Sequence, residues 1–208
     1  MLIAEQLMLL CIDPQRGDLE GARAHADINA LSAAALILDL FEQRRLRFRN
    51  GHVAVETALP TSHPQLTAEV EILAAPANVL PIDAAIDLLV TRLHPISRHL
   101  LESLFRRDVL HRVRSSWLPW SALHFPLRSI QVLNEARAQL RSAAETDHPS
   151  LRGLGLLVLT DFAGKLADAL SGDAHALAAR RVLQLDGERD SNDAGHDLIV
   201  HLRRSLLA

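Results

Sequence analysis

Apolar positions follow two rhythms along this chain, and each predicts an element. After Asp27, a residue suited to an N-cap, the stretch INALSAAALILDLFEQRR is apolar on nearly every side, which predicts a central helix buried all round. Residues 151–170, LRGLGLLVLTDFAGKLADAL, have the same character and predict a second such helix, with Gly153 and Gly155 letting a neighbour approach closely. In RLRFRNGHVAVET the period drops to two: Leu46, Phe48, Val53 and Val55 share a face, and Asn50-Gly51 supplies a tight turn, so a β-hairpin is expected. Helical spacing returns over residues 65–74, 82–93, 96–107, 130–144, 174–185 and 194–207, with Arg137, Arg141 and Glu145 on the outer face of the 130–144 helix. Pro76 and Pro81 mark a break, and Pro95 separates two of these helices. The opening MLIAEQLMLLCID reads as a short helix with Leu7, Leu10 and Cys11 turned inward and Glu5 and Gln6 outside; Asp13, Pro14 and Gly17 end it.

Composition agrees with a mainly α fold, since Leu and Ala dominate and aromatic residues make up only 3%. At 208 residues the chain is expected to form a single globular helical domain, residues 1–208, with a buried central helix and peripheral β-hairpins. A net charge of −3 excludes a globally basic nucleic-acid binder. The lone cysteine, Cys11, sits in an apolar run and reads as a core thiol in a reducing compartment. Glu5 and the lack of a basic leader argue against a secretory signal, and Asp39 and Asp161 interrupt the longest apolar runs. A cytoplasmic protein that meets a membrane only from one side is the expectation.

No catalytic constellation stands out. There is no G-x-S-x-G elbow, no Walker-type loop and no dinucleotide fingerprint, so an enzyme is not expected. His94 and His99, like His196 and His201, are five apart, a spacing that splays two ligands on a helix; Asp197 and His201, four apart, suit an ion pair better than a metal. No metal ligand and no cofactor are assigned.

The chemistry that does stand out lies between His94 and Arg128. Six arginines (Arg98, Arg106, Arg107, Arg112, Arg114 and Arg128) face only two acids, Glu102 and Asp108, in a protein that is acidic overall. The segment runs into HRVRSSWLPWSALHF, which places both tryptophans of the chain around a proline at what reads as a hairpin tip: Trp117, Leu118, Pro119 and Trp120. Arginine beside exposed tryptophan is what an anionic bilayer selects, because basic residues gain energy near its surface and Trp favours headgroup depth. Core packing of the two rings and a self-association or partner surface are the other readings of the same residues.

Several strings, in order, resemble the Golgi phosphoprotein 3 family of helical phosphoinositide-binding proteins: AEQLMLLCID, LILDLFEQRRL with its hairpin, PTSHPQLTAEVEIL, LLESLFRRDVL, the hairpin ending HFPL, and LGLLVLTDFAGKLADAL. The resemblance covers nearly the whole chain. It implies a pocket for the phosphatidylinositol 4-phosphate headgroup, built in the family by a Trp and an Arg near the central helix and two basic residues on a later helix. Those positions fall here near Ala24 and at Ala33, His94 and Ser97, so all four differ from the pattern; Arg23, His25 and Arg98 are the neighbouring substitutes. The family's aromatic and aliphatic hairpin tip, which inserts in membranes and self-associates, corresponds to Trp117, Leu118, Pro119 and Trp120. The expected function is that of a non-enzymatic peripheral adaptor that docks on anionic phospholipid, phosphoinositide being the specific case. Docking uses a basic face (Arg106, Arg107, Arg112, Arg114) and the tip. A soluble homo-oligomer using the hairpin as an interface, with a protein partner still unnamed, is the alternative.

Overall fold

Every residue of helix α1 (Ile3–Cys11) is buried, Glu5 and Gln6 included. The computed structural model, which describes residues 1–19, 27–61, 63–75, 79–114, 123–185 and 193–207, thus corrects the expectation that these two side chains face outward. A helix so apolar has no solvent face to offer, and polar residues carried in it are drawn inward with it. Helix α2 (Ile28–Glu42) follows, capped by Asp27, whose carboxylate accepts from the Asn29 amide. It is buried from Leu31 through Leu40, as its pattern predicts, and Asp39 is carried into the core with it.

Strands β1 (Leu46–Arg49) and β2 (His52–Val55) form the expected hairpin, with Asn50 and Gly51 both at positive φ in the turn. Leu46, Phe48 and Val53 are buried, and Val55 is half-buried. Helix α3 (Pro64–Ala74) starts on Pro64, which costs it nothing because the first-turn amide has no helical partner. A third strand, β3 (Val79–Pro81), then pairs antiparallel with β2, giving the order β1-β2-β3. At three residues between prolines it carries too little periodicity to be read from sequence. Helices α4 (Ile82–Leu93) and α5 (Ile96–Arg106) lie on either side of Pro95, within a residue of their expected bounds.

The second hairpin is short: β4 (Val113–Arg114) pairs with β5 (Leu123–His124). Helix α6 (Ile130–Glu145) exposes Arg141 and Glu145, but Arg137 is half-buried rather than exposed. The expected helix over 151–170 is two: α7 (Leu151–Phe162) and a single turn, α8 (Leu166–Ala169). Gly164, at φ 66°, ends α7 in the left-handed conformation that glycine adopts without penalty. Helices α9 (Gly172–Gln184) and α10 (Ala194–Leu207) complete a mainly α domain of ten helices and two small sheets among the described residues. Helix α1 packs on α2, α5, α6 and α7, so the core is wrapped around α1 and α2. The α2–α7 contact is close enough that a Cβ on Gly155 would come within 2.6 Å of Leu38 Cδ1.

Candidate functional site

The base of the second hairpin is fastened to the loop that follows α1. Phe125 donates its amide to the Gly17 carbonyl at 2.9 Å, and Leu127 donates to Pro14 at 3.0 Å. His124 Nδ1 lies 2.6 Å from Asp18 Oδ1. Gly17 is required there: its φ is 76°, and a Cβ would stand 2.2 Å from the Pro126 nitrogen. Trp117, Leu118, Pro119 and Trp120 lie outside the described residues, as do Arg23, His25 and Ala24.

Of the basic face, Arg106, Arg107, Arg112 and Arg114 are all exposed. They are not equivalent. The Arg112 guanidinium stacks 4.8 Å from the centroid of the Phe105 ring. Arg106 donates Nε to the Glu102 carbonyl, Arg98 pairs with the Glu102 carboxylate at 3.2 Å, and Arg128 pairs with Asp108 at 2.6 Å. Arg107 reaches inward and is tied at 2.6 Å to the buried Glu5, so it belongs as much to the interior as to the surface.

Of the headgroup positions implied by family resemblance, Ala33 lies on α2, and His94 and Ser97 flank Pro95 at the start of α5, where Ser97 meets Asn29 of α2 in a small neutral contact. Ser97 is buried and gives both its amide and its hydroxyl to Asn29 Oδ1, each at 3.3 Å. Ala33 is fully buried, while His94 and Arg98 are exposed. Among these, only the Ser97–Asn29 pair shares hydrogen bonds, and neither member carries a charge.

The charged chemistry lies on another side of α5. A cleft of about 920 Å³ opens between the start of α1 and helices α3, α5 and α7, lined by Arg106, Arg107, Arg152, His63 and His99 together with Glu42, Gln65 and Ser103. Behind it, Glu5 is fully buried and accepts from the Leu2 amide, Ser103 Oγ, His63 Nε2 and Arg107 Nη1, at 2.9, 3.0, 3.2 and 2.6 Å. Burial alone would raise its pKa; the His63 and Leu2 hydrogen bonds and the Arg107 charge outweigh it and hold the carboxyl at about 2. Asp39 accepts from the next two amides, Ile3 at 2.8 Å and Ala4 at 3.1 Å. Two carboxylates thus satisfy three amides at the start of α1 that have no helical partner. Burial dominates at Asp39 and pushes it up to about 7, against those amides and Arg152. Glu69, also fully buried, is raised well above the usual carboxylate range by burial, with Gln65 opposing and Asp39 adding to the shift. Arg152 spans Glu42 and the Met1 carbonyl.

Sequence reasoning misses this cluster, because Glu5, His63, Ser103, Arg107 and Arg152 come from distant segments. One signal does point to it: an acid inside a helix apolar on all sides must be buried and therefore partnered. Cys11 is buried as expected, and burial pushes its thiol up to about 12 despite the opposing Lys165 charge, away from the thiolate form that reacts. Asp197 and His201 pair at 3.2 Å, half-buried, with the imidazole 5.2 Å from the Phe48 ring. Among the described residues no three His, Cys, Asp or Glu side chains converge as a metal site requires, and no helix is long and apolar enough to cross a membrane.

A family model described as Golgi phosphoprotein 3 (GPP34) matches residues 3–199, from the first residue of α1 into α10. No curated protein matches the chain.

Proposed function

We propose that this chain, which belongs to the Golgi phosphoprotein 3 (GPP34) family, is a non-enzymatic peripheral membrane protein that docks on anionic phospholipid through its basic face and hairpin tip. The observation that carries this reading is the exposure of Arg106 at the end of α5, Arg112 in the link that follows and Arg114 on β4, the segment that leads in sequence to WLPW. Each arginine near an anionic surface contributes about 1 kcal/mol, and tryptophan rings favour the headgroup layer, so the two terms add on one side of the molecule. The proposal does not rest on phosphatidylinositol 4-phosphate. The described positions that the resemblance implies, Ala33, His94 and Ser97, carry no guanidinium, Arg98 beside them is paired with Glu102, and bidentate recognition of phosphate needs a guanidinium. The reading therefore rests on general anionic lipid, bound as an adaptor binds, from one side.

Sedimentation with vesicles of phosphatidylcholine and phosphatidylglycerol tests it. Binding is expected to fall as salt rises and to fall again in the Trp117→Ala, Trp120→Ala double variant. Binding indifferent to both would refute the reading. A change in solution mass for the double variant, with no vesicle binding by the parent, would favour a soluble homo-oligomer built on the hairpin.

A further inference from the structure

The cleft beside Glu5 is lined by three arginines and two histidines against one acid, Glu42, with Glu5 behind it. Its acids are committed: Glu5 already accepts from four donors, and Glu42 is engaged by Arg152. One of its basic groups is not: the Arg106 guanidinium has a backbone carbonyl as its partner and, among the described residues, no carboxylate. His63 gives Nε2–H to Glu5, since a carboxylate can only accept. A cleft in that condition has positive charge to offer, and a cation would find its acids spent.

We infer that this 920 Å³ cleft binds a phosphomonoester, its dianionic oxygens held by Arg106 and Arg107 with His99 beside them. Both guanidinium groups line the cleft, and a guanidinium can give parallel N–H bonds to a doubly charged oxyanion. Glu5 serves as the positioning group. Its buried carboxylate fixes Arg107 before any ligand arrives, so the arginine loses little freedom on binding. The cleft's volume lies within the range of small-molecule sites, and Leu2, Pro64, Ala68 and Leu93 give it an apolar wall for a short organic body. The site lies on a different side of α5 from Ser97, and it shares only Arg106 and Arg107 with the lipid-docking reading, on which it otherwise does not depend.

A phosphomonoester can come from solution or from a lipid such as phosphatidic acid, and two arms separate the sources. In the first, sn-glycerol 3-phosphate is titrated into the intact chain by calorimetry, with glycerol at matched ionic strength as control. Saturable binding is expected, weakened roughly tenfold or more in the His99→Gln, Arg106→Gln double variant. Both side chains are exposed, and circular dichroism checks that the variant is folded. Arg106→Lys should restore part of the loss, because charge returns without the fork. In the second arm, vesicles containing phosphatidic acid are compared with vesicles containing phosphatidylglycerol, a diester. A preference for phosphatidic acid that disappears in the same double variant assigns the lipid source. The Trp117→Ser, Trp120→Ser variant should lose vesicle docking yet keep glycerol phosphate binding, which separates failure of the docking reading from failure of this one. Absence of saturable binding in both arms, or equal binding by parent and double variant, overturns the inference.

Discussion

Replacing Glu5 by Gln isolates the charge buried behind the cleft. A carboxyl held at about 2 instead of 4.5 stores stability equal to the free-energy difference between those values, about 3 kcal/mol at neutral pH. The sign follows from the lowered folded-state value: the contribution is complete above the unfolded pKa of 4.5 and is lost as pH falls through 2. Near pH 3 about 1 kcal/mol should remain. The amide replaces one acceptor oxygen by a donor facing Arg107 and Ser103, so the variant recovers little. Urea unfolding followed by circular dichroism should show Glu5→Gln about 3 kcal/mol less stable at pH 7, a Tm lower by roughly 6–12 °C in a domain of this size. The gap should narrow steadily between pH 4.5 and 2.5. Arg107→Gln should cost less, about 1 kcal/mol, because that guanidinium is 45% exposed and screened by water. A gap at pH 7 below about 1 kcal/mol, or one that does not change with pH, would show that Glu5 is not the ionised hub its partners indicate.

Two further outcomes are expected. Glu69, raised by burial, holds its proton more tightly folded than unfolded, so it and Asp39 make stability fall as pH rises above about 4.5; Glu69→Gln should raise Tm at pH 8 and flatten the drop between pH 5 and pH 8 in thermal scans. Gly17→Ala places a methyl on the Pro126 backbone and cannot adopt φ 76° without strain; it should destabilise the chain by more than about 1 kcal/mol and speed hydrogen exchange at the Phe125 amide.

The helices were legible because burial writes itself into periodicity. The bounds of α4 and α10 follow from apolar spacing and flanking prolines and polar turns, and the β1–β2 hairpin follows from Asn50-Gly51 between alternating residues. Strand β3 was not legible, since three residues carry no period and its pairing with β2 is a tertiary fact. The split of α7 from α8 hinges on Gly164, and the surrounding apolar run hides that glycine from a pattern-based reading. The basic face was legible as a local excess of arginine, but not its division into Arg112 on a ring, Arg107 on a buried acid and Arg106 without a carboxylate. The Glu5 cluster was invisible for a related reason. Its members are spread along the chain from Glu5 to Arg152, and helical spacing treats Glu5 as an outer position where the solvent side of α1 does not exist.

The fastening of the hairpin base also has a mechanical side. A pull applied through residues 115–122 enters the body by two strands. One runs back through β4 to α5 and, by Arg107, to Glu5 near the first turn of α1. The other runs through β5 and Phe125 to Gly17, just beyond the last turn of the same helix. Both routes end on α1, the most enclosed rod in the molecule, one near each end. Force taken up at the hairpin base is therefore shared across the length of that helix in place of peeling one edge.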